Sequence, residues 1–174
     1  MTGALGLESG LVRLVEYDAR WPALFDAEAR RLREACAGLP LRLEHIGSTA
    51  VSGLCAKPVL DILAGRPADV PANRYIARLH SAGYEHRGER GVPGREYFHR
   101  GDPRAYHVHL VVENEELWRD YLAFRDRLRA DVELKRRYAE LKRSLAARFP
   151  RNREAYMEGK AAFVDRALRD SSGA

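Results

Sequence analysis

The 174-residue sequence has few cysteines and no long apolar run. Cys36 and Cys55 are its only cysteines, too few for a disulfide scaffold, so we expect a reducing cytoplasmic environment. No segment approaches the roughly 18 consecutive apolar residues of a transmembrane helix. Residues 1–10 lack the basic cluster and apolar core of a signal peptide. The sequence therefore predicts a cytoplasmic protein without a membrane partner.

Internal repeats, low-complexity tracts and long linkers are also absent. Hydrophobic residues make up 45% of the chain and charged residues 32%, which is typical of a globular protein and not of a disordered one. The length is that of one well-packed domain, or of one domain with a short helical extension. We predict a flexible N-terminal tail over 1–10 and a single domain over 11–170.

The net charge of +5 favours anionic partners without identifying one. Basic residues of the C-terminal third alternate with acids such as Asp120, Asp126, Glu133 and Glu140, as in helices with ion pairs at a spacing of four. Few aromatic side chains outside the expected core are available to stack on bases. Nucleic acid is therefore not an expected partner.

Two hydrophobic spacings along the chain predict a mixed sheet with flanking helices. Alternating or continuous apolar residues predict strands over 41–46, 58–64, 95–100 and 105–112, with a glycine-rich loop over 88–94. Spacings of three and four predict helices after Asp18, a plausible N-cap, over 72–82 and throughout the chain after Asn114. Pro150 separates the last predicted helix, 153–169, from the helices before it. The expected fold class is α/β (α+β), with a core over about 11–113 and C-terminal helices over about 114–170.

A Gly-Ser pair lies between a predicted strand and a helical turn. Gly47 allows backbone amides to approach a phosphate closely, and Ser48 offers a hydroxyl to the same oxygens. Asp61, inside the next apolar strand, is placed to hold a metal ion that bridges those phosphates. The structural alternative is an ordinary helix cap with a hydrogen-bonded carboxylate. An unpaired charge inside an apolar strand is costly, however, and this favours a functional Asp61.

A second motif, Tyr-His-Val-His-Leu-Val-Val, covers 106–112. Side chains alternate along a strand, so His107 and His109 share one face. If this strand neighbours the strand of Asp61, the carboxylate and both imidazoles converge. Such a set suits a transition metal better than Mg²⁺, which prefers oxygen. Packed histidines are one alternative, and a histidine-triad-like hydrolase is disfavoured because the third position is Val111.

Together with further motifs, these segments resemble the GrpB family from residue 15 to about residue 164. The matching residues include Tyr17-Asp18, Trp21-Pro22, His45 to Val51, Gly53-Leu54, Ala56-Lys57-Pro58, Asp61-Ile62, Gly83-Tyr84, Phe124-Arg125-Asp126, Tyr138, Leu141-Lys142, Tyr156 and Lys160.

The resemblance implies a nucleotidyltransferase-like fold without a firmly assigned reaction. Similar domains occur fused to dephospho-CoA kinase, where they resemble accessory domains that aid folding, so a protein related to that kinase is a candidate partner. This chain has no Gly-x-x-x-x-Gly-Lys-Ser/Thr kinase motif. Active nucleotidyltransferases usually carry an acid-x-acid pair and a third acid on a later strand. Here the pair is Asp61-Ile62-Leu63 and the later strand carries two histidines, so the set of carboxylates is incomplete.

Two functions remain open from the sequence. The first is transfer of a nucleotidyl group from a nucleotide triphosphate to an unknown small acceptor, with a reduced metal site. The second is a non-catalytic nucleotide-binding or folding-accessory module, which explains the missing acid directly. In either case the expected ligand is a nucleotide or another phosphorylated small molecule.

The residues that the first function requires fall into three groups. The candidate catalytic residues are Asp61, His109, His107 and Glu44, with either histidine or Glu44 as general base. The candidate ligands of a divalent metal (Mg²⁺ or Mn²⁺, with Zn²⁺ as a further candidate) are Asp61, His107 and His109. The candidate substrate contacts are Gly47, Ser48, Thr49, Lys57, Arg95, Arg125, Lys142 and Lys160. For Arg95, Lys142 and Lys160 a solvated surface position is the alternative, whereas Arg125 is favoured as a phosphate contact because it lies beside apolar Phe124 in a family motif.

Overall fold

A computed structural model describes residues 5–170, which contain a five-stranded mixed sheet and five α-helices. The order along the sheet is β1-β2-β5-β4-β3. The elements are α1 (Trp21–Ala35), β1 (Arg42–Ile46), β2 (Leu60–Arg66), α2 (Ala72–Ser81), β3 (Glu85–His86), β4 (Glu96–Arg100), β5 (Tyr106–Val112), α3 (Glu116–Ala130), α4 (Val132–Arg148) and α5 (Arg153–Arg169), with a 3₁₀ turn at Ser48–Ala50. The predicted α/β (α+β) class and the C-terminal helical segment are confirmed.

The two central strands, β2 and β5, run parallel, whereas β1, β4 and β3 pair antiparallel to their neighbours. Strand β2 is nearly continuous in apolar residues because helices cover both of its faces. In the register of β2 and β5, Asp61 lies opposite His107 and Leu63 opposite His109. The strands of the two sequence motifs are therefore neighbours.

Helices cover the two faces of the sheet with different residues. On one face, α1 and α2 pack on Ile62, Ala64, Val108 and Leu110. On the other face, α3 packs its Trp118 on a cluster with Ile46, Leu63 and Val111. Because side chains alternate along β2, Asp61 lies on the face of Leu63, the side that α3 covers. Helices α4 and α5 pack against each other and against α3.

The start of α1 differs from the sequence prediction. Asp18 does not cap the helix, which begins at Trp21 with Arg20 at the N-cap position and a proline in its first turn. The Asp18 carboxylate instead accepts hydrogen bonds from the backbone amide of Arg20 at 2.9 Å and from its guanidinium at 2.6 Å. The Asp18 carboxylate therefore pairs with Arg20 instead of capping the helix.

The predicted N-terminal tail is described from residue 5 onward. The amide of Gly6 donates to the Pro58 carbonyl at 2.8 Å, and Leu7 is buried and forms a β-bridge with Arg104. These contacts place residues 6–7 beside the strand of the second motif. Within the described residues, no helix has the length and apolar character needed to cross a membrane.

Candidate functional site

Asp61 accepts hydrogen bonds from both histidines of the second motif. Nδ1 of His107 lies 3.0 Å from Oδ1 of Asp61, and Nε2 of His109 lies 3.2 Å from the same oxygen. Both imidazoles are almost fully buried, whereas the carboxylate is about a third exposed. The convergence that the sequence predicted, on condition that the two strands are neighbours, is therefore present.

The protonation of this cluster follows from its burial. Burial favours the neutral carboxyl, but the hydrogen bonds from His107 and His109 outweigh it and hold the pKa of Asp61 well below its usual range. Burial also lowers the pKa of His107 to about 4, against the attraction of Asp61. At neutral pH the carboxylate is therefore ionised and His107 is neutral. Neutral His107 donates from Nδ1, so its Nε2 carries a lone pair.

His109 has partners at both ring nitrogens. Its Nε2 contacts Asp61, and its Nδ1 lies 3.4 Å from Nη1 of Arg95 and 3.4 Å from the hydroxyl of Tyr121. His107 is the member of the pair whose second nitrogen is left for a ligand. Of the two histidines predicted as candidates for the general base, the geometry favours His107.

Gly47 brings the end of β1 against the carboxylate. Ile46 lies opposite Asp61 in the sheet, and Gly47 follows it with φ of 71°. A Cβ atom at this position would lie 2.8 Å from Oδ2 of Asp61. Both the backbone conformation and the close approach therefore require glycine here. Ser48 comes next, and its Oγ accepts a hydrogen bond from Nζ of Lys142 at 2.9 Å.

Thr49 lines the same region but is engaged in the fold. It is buried, and its Oγ1 lies 2.9 Å from Nε2 of His45. The ring of His45 stacks on Phe25 with the centroids 4.8 Å apart. Burial lowers the pKa of His45 to about 4, so this imidazole is neutral. Thr49 and His45 thus form a buried contact that stabilises the Gly47-Ser48 turn.

These side chains form part of the wall of a cavity of about 430 Å³. Ten of the twelve predicted site residues line it: Gly47, Ser48, Thr49, Lys57, Asp61, Arg95, His107, His109, Lys142 and Lys160. The cavity volume lies within the range of small-molecule sites. The turn after β1 thus meets residues from β2, β5, α4 and α5 at one place.

Glu44 and Arg125, the other two predicted residues, are not part of this wall. Glu44 lies on the same sheet face as Asp61 but further along β1, beneath α3. Its Oε2 accepts a hydrogen bond from Nη1 of Arg125 at 2.9 Å, and Arg125 also donates to the His45 carbonyl at 3.1 Å. The pair joins α3 to β1. The placement supports neither Glu44 as a base nor Arg125 as a phosphate contact.

Lysine is rare in this chain and concentrated at the cavity. The sequence has four lysines among 30 basic residues, and Lys57, Lys142 and Lys160 line the cavity. Nζ of Lys160 lies 4.5 Å and Nζ of Lys57 5.8 Å from the ring centroid of Tyr156. Burial lowers the pKa of Lys57 and Lys142 to about 8. Burial, with repulsion from Lys57 and Lys142, lowers the pKa of Lys160 to about 7.

Arg95 supports the loop over 88–94. Its Nη2 donates to the carbonyls of Glu89 and Arg90 at 3.0 and 3.1 Å, and its Nη1 donates to the Tyr121 hydroxyl at 3.0 Å. The guanidinium also packs over the ring of Tyr97. Arg95 therefore links the loop to the histidine cluster, and few of its donors remain for a phosphate.

Arg90 and Arg153 line the cavity without any prediction from the sequence, as does Tyr97. Arg90 lies in the glycine-rich loop, and Arg153 is the first residue of α5. A loop arginine and a helix-terminal arginine have no spacing that distinguishes them from surface residues. The predicted break at Pro150 indicated where α5 begins, but not that this end of the helix meets the sheet.

The cavity is rich in positive charge that the protein does not neutralise. Six cationic side chains line it, against the two carboxylates of Asp61 and Glu154. Across residues 5–170, none of the six has a carboxylate oxygen within 4.0 Å. The six are Lys57, Arg90, Arg95, Lys142, Arg153 and Lys160. Cations gathered around one cavity repel one another, so the charge of this wall favours an anionic ligand.

The donors around Asp61 do not form a recognisable metal site. In the described part of the chain, no group of three His, Cys, Asp or Glu side chains has an arrangement that would hold a metal ion. Asp61, His107 and His109 are instead hydrogen-bonded to one another. The divalent metal stays a prediction.

The fold belongs to a known class. The solved structure of the Cid1 poly(U) polymerase with Mg 3'-dATP bound matches 76% of this chain and 43% of its own, with a TM-score of 0.53 and 15% identity. This likeness concerns the fold, which is nucleotidyltransferase-like.

Within that class, the chain belongs to the GrpB family, whose model matches residues 11–170. The crystal structure of the conserved protein GrpB from Enterococcus faecalis superposes with a TM-score of 0.83 and 33% identity, over 91% of this chain and 96% of that chain. Glutamate-rich protein GrpB of Alkalihalophilus pseudofirmus is 32% identical over 95% of this chain and 99% of its own length. The expected family and fold are thus confirmed.

Other relatives are longer than this chain. A UPF0157 protein of Pseudomonas aeruginosa is 41% identical over 90% of this chain, which spans 66% of it. The chain spans 46% of a relative from Bacillus subtilis. A dephospho-CoA kinase of Mycolicibacterium paratuberculosis is 31% identical over 86% of this chain and 43% of the kinase.

Proposed function

We propose that the cavity binds a nucleotide triphosphate and that the protein transfers a nucleotidyl group from it to a small acceptor. The observation that carries this proposal is the set of six cationic side chains without ion-pair partners around the Gly47-Ser48 turn. A triphosphate supplies the negative charge that the wall lacks. The nucleotidyltransferase-like fold is consistent with such a ligand but does not by itself establish the reaction.

The lysines are placed to hold the phosphates. Nζ of the buried Lys142 donates to Oγ of Ser48 at 2.9 Å and also to the Cys55 carbonyl, so Lys142 fixes the Ser48 hydroxyl at the turn that would hold the phosphates. Lys57 precedes β2 and Lys160 lies on α5, and the ammonium groups of both lie near the ring of Tyr156. Charge-assisted hydrogen bonds from these groups would stabilise the negative charge that develops on a leaving pyrophosphate.

His107 is the group placed to accept a proton. In the proposed step an acceptor hydroxyl attacks the α-phosphorus, its proton passes to Nε2 of His107, and the bond from the α-phosphorus to the bridging oxygen breaks as pyrophosphate leaves. Asp61 remains ionised and orients the imidazole through Nδ1. The proton then leaves to solvent.

A specific observation favours a second function. The pair Asp61-Ile62-Leu63 lacks the second acid, and the described residues contain no metal-binding group of three. A non-catalytic nucleotide-binding or folding-accessory module requires neither. Its proposed protein partner is related to dephospho-CoA kinase, since a kinase of that name contains a similar segment.

Thermal unfolding and product analysis separate the two functions. ATP, CTP, GTP and UTP are each added to the protein, with and without MgCl₂, and pyrophosphate release is measured with a panel of small hydroxyl compounds. Stabilisation with release supports transfer, and stabilisation without release supports the module. If no nucleotide stabilises the protein, both the transfer reaction and the nucleotide-binding module are contradicted, and only the folding-accessory role is left.

Variants of two histidines test the proposed base. His107→Gln is expected to abolish release while nucleotides still stabilise the fold. The matched control is His80→Gln, because His80 is exposed on α2 and outside the cavity. Unchanged release in His107→Gln would exclude His107 as the base.

A further inference from the structure

Three buried polar atoms in the cavity wall lack a hydrogen-bond partner in the described residues: Nε of Arg95, the hydroxyl of Tyr97 and Nη1 of Arg153. Arg95 is held by its other two nitrogens, which donate to loop carbonyls and to Tyr121, whereas the hydroxyl is the only polar group of the Tyr97 side chain. Tyr97 is 2% exposed. Burial raises the pKa of Tyr97 and the nearby Arg153 guanidinium opposes that rise, yet the hydroxyl and Nη1 do not have the geometry of a hydrogen bond to each other. Native proteins rarely leave such groups unsatisfied, so each indicates a missing partner.

Tyr97 and Arg153 lie beside the proposed base. The ring centroid of Tyr97 is 5.3 Å from that of His107. A shallow hollow next to the main cavity shares Lys57, His107 and Arg153 with it and extends to Arg104. An acceptor that loses its proton to His107 would approach through this part of the wall.

The chemistry of the two groups restricts what binds there. A guanidinium N–H can only donate, and the Tyr97 hydroxyl beside it is held by no acceptor. Arg90 adds positive charge, with its guanidinium 5.4 Å from the Tyr97 ring centroid. The matching group is therefore an anion with several acceptor oxygens.

We propose that Arg153 and Tyr97 bind an anionic group of the acceptor, which is then a hydroxyl compound carrying a phosphate or a carboxylate. This inference rests on the proposed nucleotide site, because it assigns the acceptor of that same reaction. The cavity wall then has two subsites. The lysines and Ser48 hold the nucleotide phosphates, and Arg153 and Tyr97 hold the acceptor.

Calorimetric titrations of inorganic phosphate and of acetate test the subsite without knowledge of the acceptor. We expect Arg153→Gln and Tyr97→Phe each to weaken the binding of at least one of these probes fivefold or more. The matched control is Arg151→Gln, because Arg151 is exposed and outside the cavity. Phosphate bound without acetate identifies a phosphorylated acceptor, and acetate bound as well identifies the carboxylate class. If both variants bind the probes as the wild type does, or if neither probe binds the wild type, the proposal is overturned.

Nucleotide titrations of the same variants separate this proposal from the one on which it rests. We expect Tyr97→Phe to change nucleotide affinity less than twofold, and Arg153→Gln, which also removes a positive charge from the cavity, to weaken nucleotide binding by a smaller factor than it weakens phosphate or acetate binding. An equal loss of nucleotide and phosphate affinity would place Arg153 in the nucleotide subsite and overturn the proposal. Absence of nucleotide binding in the wild type would instead contradict the proposed function. Tyr97→Phe is expected to unfold at no lower a temperature than the wild type, because it removes an unpartnered hydroxyl.

Discussion

A Cβ atom on residue 47 would lie 2.8 Å from Oδ2 of Asp61, so the turn after β1 and the carboxylate of β2 are in direct contact across Gly47. The backbone of Gly47 has φ of 71°, a conformation that residues with a side chain rarely adopt. The glycine of the Gly-Ser pair is therefore required by its neighbour on the next strand, as well as by any ligand that approaches its amide.

Gly47→Ala is expected to lower the free energy of unfolding by about 1–3 kcal/mol, because it combines backbone strain with displacement of Asp61. It should also weaken nucleotide binding. The matched control is Gly53→Ala, since Gly53 has φ of 74° with nothing within 4 Å of the added Cβ. Chemical denaturation of both variants measures the difference. Equal losses would mean that the contact with Asp61 contributes nothing.

Asp61→Asn tests whether a metal bridges the carboxylate and the nucleotide. The variant removes negative charge from a cationic cavity, so nucleotide affinity measured in EDTA should rise by on the order of 1 kcal/mol. Asp165→Asn is the control, because Asp165 is exposed on α5 and outside the cavity wall. A loss of affinity that appears only with Mg²⁺ or Mn²⁺ would instead support the metal at Asp61.

Arg125→Gln separates stability from binding. Arg125 is nearly buried and bonds both Glu44 and the His45 carbonyl, so its removal should cost about 1–3 kcal/mol of unfolding free energy. Nucleotide affinity should not change, since Arg125 is outside the cavity wall. The control Arg136→Gln breaks two exposed ion pairs, with Glu133 and Glu140, and should cost less than about 1 kcal/mol. A selective loss of nucleotide affinity in Arg125→Gln would restore Arg125 as a phosphate contact.

The lysines predict a rise of stability with pH. The pKa of Lys160 falls from 10.5 to about 7 on burial in the cavity wall beside Lys57 and Lys142. Between these values the unfolded chain binds a proton that the folded protein does not bind, so the free energy of unfolding rises with pH over that window. Denaturation of the ligand-free protein at pH 7 and pH 9 measures this slope.

Lys160→Gln should reduce the slope, and Lys135→Gln should not, because Lys135 is the one lysine outside the cavity wall. Identical slopes in the wild type and Lys160→Gln would show that Lys160 keeps its ordinary pKa.

The sequence predicted which residues line the cavity more fully than it predicted the role of each residue. Alternation along β5 placed His107 and His109 on one face, and the apolar surroundings of Asp61 marked it as unusual. Their meeting depended on β2 and β5 being neighbours, which periodicity does not determine, since strand order is set by the packing of the whole sheet. The family resemblance, and not any local pattern, supplied Lys142 and Lys160.

Residues that act through tertiary contacts were the ones the sequence did not distinguish. Arg125 was predicted to contact phosphate, but its charge is engaged by Glu44 on β1, 81 positions away in the chain. Arg90 and Arg153 reach the cavity from a loop and a helix end, where composition resembles any exposed segment. Asp18 had the residue type and position of a helix cap, but its carboxylate pairs instead with the guanidinium of Arg20, two residues away.

Calorimetric titration of ATP, CTP, GTP and UTP into the wild type, Lys160→Gln and Lys135→Gln tests the central claim, that the unpaired cations of this cavity bind nucleotide phosphates. We expect at least one nucleotide to bind the wild type and Lys135→Gln equally and to bind Lys160→Gln about tenfold more weakly, a loss of about 1.4 kcal/mol. Equal affinities in all three proteins, or no binding of any nucleotide to the wild type, would contradict it.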